Sequence, residues 1–407
     1  MKNYKEIMLW INHQKTKMIK LTEEWSSINS GSDNIEGLNK MLKLLILPFS
    51  TLEGSLTTVP LPPKQVIDSE GNIINSFSGS ALLITKRPQA PIQVLLGGHM
   101  DTVYPVSSPF QRVTIMDNTT MKGPGVADMK GGLVILLTTL QALEQYKYKD
   151  KIGWQVLITP DEEIGSMSSR CLHIECAKKH HFGMIFEPTF SDGAHASSRK
   201  GSINFSLISK GKSTHAGRDF HLGKNAIIPL MRVLLKINSL NTVESKTTIN
   251  IGKIQGGNSA NIVPDLAIST CNLRGENLED LEKSKEAIQN IIDLENDREN
   301  SNIGYFLLSE REPKPFDKKQ NLLFSLFKES AIELNSPFEW RPTGGVCDGN
   351  IWANAGLPTI DTLGPVGSGI HTFEETIHLD SLRVHTQLCA SLLMKLAAGE
   401  LSLPMFK

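Results

Sequence analysis

Three consecutive carboxylates follow a short apolar run in the sequence "VLITPDEEIGS" at residues 156–166. They are Asp161, Glu162 and Glu163. Neighbouring like charges repel, and a carboxylate at the end of a buried strand is costly unless a positive partner compensates it. The stretch therefore predicts either a bound cation at this point or a solvated helix start, where the helix dipole favours acidic residues.

Other loops carry residue types that bind metals or transfer protons. The sequences "GGHMDTV", "GPGVADMKGG", "IFEPT" and "SGIHTFEE" supply His99 with Asp101, Asp128, Glu187 and His371. In open α/β sheets, ligands bind beyond the carboxyl ends of the strands. If these loops converge there, several carboxylates share one cleft, and only cations make such a cluster tolerable.

A mixed set of histidines and carboxylates suits zinc, with cobalt or manganese as substitutes. One bridging carboxylate, plus a histidine and a carboxylate for each of two ions, requires five residues. The five candidates are His99, Asp128, Glu163, Glu187 and His371. Glu162 then stays free to accept a proton from the attacking water. Asp101, two residues after the first histidine, is suited to orienting that imidazole.

The elements that must position these loops alternate between strands and helices. Residues 91–98 and 153–159 have the short apolar runs of buried strands, and a strand at 183–187 follows a helix near 168–180. Leucines at helical spacing predict a helix over 130–146. This alternation predicts an α/β domain with a mostly parallel sheet flanked by helices.

The pattern changes near residue 200. Up to residue 309 the order becomes β-α-β-β-α-β, which is typical of a two-layer, ferredoxin-like unit with one open sheet face. We therefore predict a larger domain formed by residues 1–199 and 310–407, with a small domain of residues 200–309 inserted into it. We call this inserted segment the lid.

Composition excludes several classes of function. The 407 residues carry a net charge of −1, which favours neither nucleic acid nor an anionic membrane surface as a partner. No apolar run approaches the roughly 20 residues of a membrane span, and the N-terminus lacks the pattern of a signal peptide. Five cysteines without a C-x-x-C motif favour a reducing compartment, so we predict a cytoplasmic protein. The cysteine- and histidine-rich segment 171–181 has no zinc-finger spacing.

Taken together, the motifs resemble a known family. "HMDTV", "GPGVADMKGG", "DEEIGS", "FEP", "KSTHAG", "NIVP" and "TGGVCDGN" occur in this order, followed by "SGIHT". This ordered set is similar to the dinuclear zinc metallopeptidases that include carboxypeptidase G, acetylornithine deacetylase and succinyl-diaminopimelate desuccinylase. The similarity is greatest to the carboxypeptidase G (glutamate carboxypeptidase) branch, and it runs from about residue 91 to the C-terminus.

The resemblance implies a role for each matching metal ligand. His99 and Glu187 would hold one metal ion, and Glu163 and His371 would hold the second. Asp128 would bridge the two ions. The cofactor implied is therefore a pair of Zn²⁺ ions, with Co²⁺ or Mn²⁺ as substitutes.

The resemblance also implies roles outside the ligand set. Glu162 would be the general base, and Asp101 would orient a ligating histidine. His215, in "KSTHAG", matches a lid histidine that stabilises the oxyanion, often across a dimer. Asn261 and Arg274 match lid positions that contact a substrate carboxylate. The lid of this family often forms the dimer interface, so we expect a homodimer.

Each residue also has an ordinary structural explanation when taken alone. Asp128 could cap the helix that follows it, and His215 could be a surface residue. Arg274 could pair with nearby acidic residues. Cys347 departs from the family pattern, in which Ser or Thr is commoner at this position, and the departure affects only substrate contacts.

We therefore predict a metal-dependent hydrolase that cleaves an amide bond to an amino acid with a free α-carboxylate. The substrate would be an N-acyl amino acid or a short peptide. Glu187 favours a carboxypeptidase or deacylase, because the resemblance implies Asp at this position in the aminopeptidases. Two alternatives stay open: an aminopeptidase or dipeptidase of the same family, and a catalytically inactive homologue that binds metal. The presence of every ligand and of the base weakens the second alternative.

Overall fold

The computed structural model describes residues 2–299 and 301–403 of the chain. The helices of this part are α1 (Tyr4–Ser26), α2 (Ile35–Ser50), α3 (Gly131–Leu143), α4 (Arg170–Ala177), α5 (Ile227–Asn238), α6 (Leu278–Glu299), α7 (Lys318–Glu333), α8 (Asp348–Asn354) and α9 (Leu379–Ala398). The strands are β1 (Ser55–Pro60), β2 (Lys64–Ile67), β3 (Ile73–Ser76), β4 (Ser80–Lys86), β5 (Ile92–His99), β6 (Thr114–Ile115), β7 (Thr120–Lys122), β8 (Ile152–Thr159), β9 (Phe182–Ile185), β10 (His195–Arg199), β11 (Gly201–Lys210), β12 (Thr247–Gly256), β13 (Leu266–Gly275), β14 (Asn302–Arg311), β15 (Trp340–Thr343), β16 (Thr359–Ile360), β17 (Gly367–Ser368) and β18 (Thr376–His378).

The larger sheet has six strands in the order β1-β4-β8-β5-β9-β16. The pairs β8·β5, β5·β9 and β9·β16 are parallel, whereas β1 and β4 run antiparallel to their neighbours. Helices α1, α3 and α9 pack together in the large core on one face. Residues of α4 and α8 share a second core with β5, β8 and β9 on the other face. This α/β architecture confirms the predicted fold class.

Helix α3 lies at the centre of the larger core. Its leucines are fully buried, as their helical spacing predicted. The helix packs so closely on the sheet that a Cβ atom at Gly132 would lie 1.9 Å from the carbonyl oxygen of Phe186. The stretch Val126–Leu143 has the length and composition of a membrane span, but 89% of it is buried inside the protein, as in a core helix.

The lid contains a separate four-stranded sheet with its own core. Its strand order is β12-β13-β11-β14, and every pairing is antiparallel. Helices α5 and α6 cover one face of this sheet, where Phe205, Leu230 and Ile288 are buried. The order of elements is the predicted β-α-β-β-α-β. The last strand continues to Arg311, and the exact domain boundaries stay a prediction.

The N-terminal 90 residues complete the larger sheet and reach the lid. Strands β1 and β4 form one edge of the sheet. The β2–β3 hairpin extends toward the lid, so that a Cβ atom at Gly71 would lie 2.8 Å from the side chain of Leu266. A cavity of about 790 Å³ between hairpin and lid contains no residue of the predicted metal cluster.

Candidate active site

Three parallel strands of the larger sheet position predicted site residues at one edge of that sheet. Strand β5 ends at His99 and lies between β8 and β9. The loop after β8 carries Glu162 and Glu163, and the segment after β9 carries Glu187. Because the carboxyl ends of parallel strands share one edge, the strands place these side chains together, as predicted from the loops.

Asp128 lies between the two predicted histidines. Its Oδ1 atom is 3.1 Å from Nε2 of His99, and its Oδ2 atom is 3.2 Å from Nε2 of His371. Nε2 of His99 also lies 3.6 Å from Oε1 of Glu187. Nε2 of His371 lies 3.2 Å from Oε2 of Glu163. The five predicted ligands therefore form two histidine–carboxylate pairs that share one carboxylate.

Two overlapping groups among the described residues have donor atoms close enough to hold an ion. One group is His99, Asp128 and Glu163, and the other is His99, Glu162 and Glu187. Within each group the donor atoms lie within 4.8 Å of one another. Glu162 thus lies as close to the cluster as the ligands do, so proximity alone does not separate a base from a ligand.

Protonation equilibria in the cluster reflect an excess of buried carboxylates. Burial raises the pKa of Glu162 to about 7. Burial and the charge of Asp128 raise the pKa of Glu163 to about 8. Hydrogen bonds to Asp128 and Glu163 raise the pKa of His371 to about 11. Protons and imidazolium groups therefore supply positive charge that metal ions could supply instead.

Two observations indicate that these donor atoms suit a pair of metal ions. Oε1 of Glu163 is buried and has no hydrogen-bond partner, which leaves a carboxylate oxygen in need of a cation. The set also mixes imidazole nitrogens with carboxylate oxygens, which is the chemistry of zinc sites. The assignment of each ligand to a particular ion stays a prediction.

Asp101 connects the two loops that carry the first histidine and the paired glutamates. Its Oδ1 atom lies 3.3 Å from Nδ1 of His99. The backbone N–H groups of Glu162 and Glu163 donate to its two carboxylate oxygens, over 3.2 and 3.1 Å. Ser32 donates to the same carboxylate over 2.7 Å. Asp101 is therefore placed to orient the imidazole and to hold the glutamate loop beside it.

Glu375 is a site residue that the sequence analysis did not single out. Its fully buried carboxylate accepts hydrogen bonds from the backbone N–H groups of Gly125, Ala127 and Asp128 over 2.8–3.1 Å. The Tyr104 hydroxyl donates to the same carboxylate over 2.9 Å. Glu375 therefore fixes the loop that carries Asp128. The only sequence signal was its place in "SGIHTFEE", four residues after the predicted ligand His371.

A second group missed by the sequence analysis lies behind the paired glutamates. Nη2 of Arg311 is 2.9 Å from Oε1 of Glu162 and 3.2 Å from Oδ1 of Asp348. Oδ2 of Asp348 is 3.1 Å from Nε2 of His173. His173 belongs to the cysteine- and histidine-rich segment that has no zinc-finger spacing, and it contributes to the site through this contact. His180 and His181 of the same segment instead contact the backbone of Cys176 and Gln93.

The lid residues predicted from the resemblance differ in their placement. Arg274 donates from Nη1 to the carbonyl oxygen of Gly344 over 2.6 Å, which joins the lid to the loop containing Cys347. His215 and Asn261 are exposed. Among the contacts of the described residues, neither one touches the metal cluster, so their predicted roles stay predictions.

A cavity of about 400 Å³ adjoins the cluster. Among the described residues that line it, Asp128 and Glu187 are acidic and Arg199 is the only cationic one. The remaining wall is largely uncharged and includes Phe190 and Cys347. Burial raises the pKa of the Cys347 thiol well above its usual value, so this side chain is a neutral thiol in the cavity wall.

Comparison with known proteins defines the class. Residues 95–395 match the model of peptidase family M20/M25/M40, and the chain belongs to that family. This confirms the predicted family and a metal-dependent hydrolase as its class of protein.

Two relatives and one solved structure illustrate the similarity of this chain to known proteins. Carboxypeptidase G2 of Pseudomonas sp. (strain RS-16) is 27% identical over 399 residues, which cover 95% of this chain and 91% of that protein. A succinyl-diaminopimelate desuccinylase of Nitrosospira multiformis is 27% identical over 332 residues, which cover 75% of this chain and 85% of that protein. The structure of the dipeptidase Dug1p from Saccharomyces cerevisiae has a TM-score of 0.75 at 14% identity, covers 97% of this chain and 98% of that chain, and supports the fold alone.

Proposed function

We propose that this chain uses two metal ions, zinc in the first instance, to hydrolyse the amide bond between an acyl group and an amino acid with a free α-carboxylate. One observation carries the proposal. The two oxygens of Asp128 each face a different imidazole, 3.1 and 3.2 Å away, so one carboxylate has the geometry to serve two ions. Glu163 and Glu187 supply one further carboxylate to each half. When bound, two such ions polarise the scissile carbonyl and lower the pKa of water at the site toward about 7.

Glu162 is proposed to transfer the proton in this reaction. Its carboxylate accepts a proton from water as the water oxygen adds to the carbonyl carbon. The same group then gives the proton to the leaving nitrogen as the carbon–nitrogen bond breaks, which releases a carboxylate and a free amine. Burial raises the pKa of its carboxyl group above the usual value, and a group that both accepts and returns a proton is most effective when its pKa lies near the working pH.

Arg274 is proposed to bind the free α-carboxylate of the substrate. It lies on β13 of the lid and donates to Gly344, the neighbour of the cavity-lining residues Thr343 and Gly345. A guanidinium can form two parallel hydrogen bonds with a carboxylate. The α-carboxylate would then contact the lid while the scissile carbonyl faces the cluster.

We further propose that the protein is a cytoplasmic homodimer formed through the lid. His215 and Asn261 are exposed on the lid, and among the contacts of the described residues neither one touches the cluster of its own chain. Closure of the lid, or the lid of a second copy, would bring a histidine to the site, where its imidazole would stabilise the developing oxyanion.

The experiment compares kcat/KM for an N-acyl amino acid with that for its C-terminal amide, using zinc-loaded protein. We expect the amide to be about 10²–10³-fold poorer, because a partly buried arginine loses its charged partner. Arg274→Gln should remove most of this difference, whereas Arg298→Gln, on the exposed surface of the same lid, should preserve it. Equal rates on acid and amide, with activity lost when a peptide's amine is blocked, would instead identify an aminopeptidase.

A further inference from the structure

Arg311 lies at the point where the lid returns to the larger domain. It is the last residue of β14, and its side chain is 93% buried. From Nη2 it donates to the backbone oxygen of Glu162 over 2.9 Å and to the hydroxyl of Ser166 over 2.6 Å. The same nitrogen lies 2.9 Å from the Glu162 carboxylate. The end of β14 therefore places the Arg311 guanidinium directly against the loop that carries Glu162, the proposed base.

Asp348 holds this guanidinium from behind. Its Oδ1 atom lies 3.2 Å from Nη2 of Arg311, and the hydroxyl of Ser166 donates to the same oxygen over 2.5 Å. Burial alone would raise the pKa of Asp348, but its contacts with His173, Arg311 and Ser166 outweigh burial and hold that pKa below its usual range. Asp348 is therefore an ionised partner, so the cation faces one carboxylate on each side.

His173 fixes Asp348 in turn. The indole Nε1 of Trp352 can only donate, and it donates to Nδ1 of His173 over 2.8 Å. In the neutral ring this places the imidazole proton on Nε2, which lies 3.1 Å from Oδ2 of Asp348. All three side chains are buried. A buried series of contacts thus runs from the indole to the proposed base through Asp348 and Arg311.

The backbone around this contact is also tightly packed. Gly165 has a φ of +95°, and a Cβ atom there would lie 2.3 Å from Cβ of Ser309 on β14. Three residues before this glycine stands Glu162, so the end of β14 rests directly on the loop of the base. Arg170 joins the same junction by donating to the backbone oxygen of Glu310 and to the carboxylate of Glu312.

We propose that Arg311 is a positioning residue that holds the Glu162 carboxylate in its orientation toward the substrate. The proposal rests on the proposed function of Glu162 as the base. Arg311 neither belongs to the metal cluster nor lines the adjoining cavity. Its loss should therefore affect the step in which the proton moves, and leave substrate binding and metal content largely unchanged.

The test measures kcat, KM and zinc content for Arg311→Met and Arg311→Lys. We expect Arg311→Met to lower kcat about 10²-fold, within the range that a general base contributes, with KM changed less than about threefold and both metals retained. Arg311→Lys should recover at least about tenfold of the lost kcat, because the contacts with Glu162, Ser166 and Asp348 all use Nη2 of Arg311, which an ammonium group can replace. Arg170→Met, at the same junction without a contact to Glu162, should change kcat less than about threefold.

A double variant separates positioning from a general structural role. If Arg311 acts through Glu162, combining Arg311→Met with Glu162→Gln should lower kcat no further than Glu162→Gln alone. If the two losses in kcat multiply in the double variant, the inference is wrong. It is also wrong if Arg311→Met leaves kcat unchanged. If Arg311→Met does not fold, Arg311→Lys carries the same comparison in both backgrounds. An unchanged kcat in Glu162→Gln alone would instead refute the proposed function.

Discussion

Replacing Glu375 by glutamine tests whether the loop that carries Asp128 is held by one buried carboxylate. Oε1 of Glu375 accepts from Ala127 and Asp128, and Oε2 accepts from Gly125 and Tyr104. Glutamine keeps one oxygen and presents an NH₂ group in place of the other. Depending on the orientation of the amide, one or two backbone N–H groups then lose their acceptor, since the Tyr104 hydroxyl can donate to the carbonyl oxygen of Thr372 instead.

The expected magnitude follows from these contacts. Each buried donor left without a partner costs about 1–3 kcal/mol, so the loss of one or two acceptors in Glu375→Gln should lower the free energy of unfolding by about 1–6 kcal/mol. The loosened loop also displaces Asp128 from its two imidazoles. Loss of a group that orients a metal ligand typically weakens metal affinity by about 10–100-fold, and we expect that range here for zinc.

The assay combines denaturant unfolding of the metal-free protein with zinc competition against a chromogenic chelator. Glu374→Gln is the matched control, since this neighbouring side chain is 77% exposed and, within the described part of the chain, its carboxylate pairs with Lys122 at the surface. That variant should change both quantities little. Wild-type stability and zinc affinity in Glu375→Gln would refute the argument that this carboxylate holds the loop.

Three further predictions concern the base, the lid and the oxyanion. Glu162→Gln should keep both metals but lose about 10²–10⁴-fold in kcat, whereas Glu163→Gln should also lose metal by elemental analysis; the opposite pattern would reverse the two roles. Sedimentation should show a dimer for the intact chain and a monomer once residues 200–309 are replaced by a short linker; an intact chain that sediments as a monomer would remove the proposed role of the lid in assembly. His215→Ala should lower kcat more than it raises KM, because oxyanion contacts act in the transition state, and a change in KM alone would contradict this.

The central part of the site could be predicted from the sequence because each ligand carries a local signal. His99 ends an apolar strand, Glu163 and Glu187 follow two others, and parallel strands share their carboxyl edge. His371 lies on a separate loop, and only the order of motifs connected it to the others. The structure brings it to 3.2 Å from Asp128, so the resemblance supplied what periodicity could not.

The supporting residues could not be predicted in the same way, because their partners are distant in sequence. Glu375 bonds to backbone groups some 250 residues earlier, and no spacing pattern indicates such a contact. Arg311 is the last residue of β14, but its role depends on which loop that strand packs against. His173 belonged to a segment that resembled a metal site in composition, whereas its buried position assigns it to Asp348.

The most direct test of two metal ions sharing Asp128 is a zinc titration of metal-free protein, with bound zinc and amide hydrolysis measured on the same samples. The account predicts that activity rises to its maximum at two zinc ions per chain and disappears with a chelator. Asp128→Asn should hold fewer than two ions and be inactive, while the surface control Asp192→Asn should match the wild type. Full activity at one ion per chain, or an Asp128→Asn protein that keeps both ions and its turnover, would contradict the account.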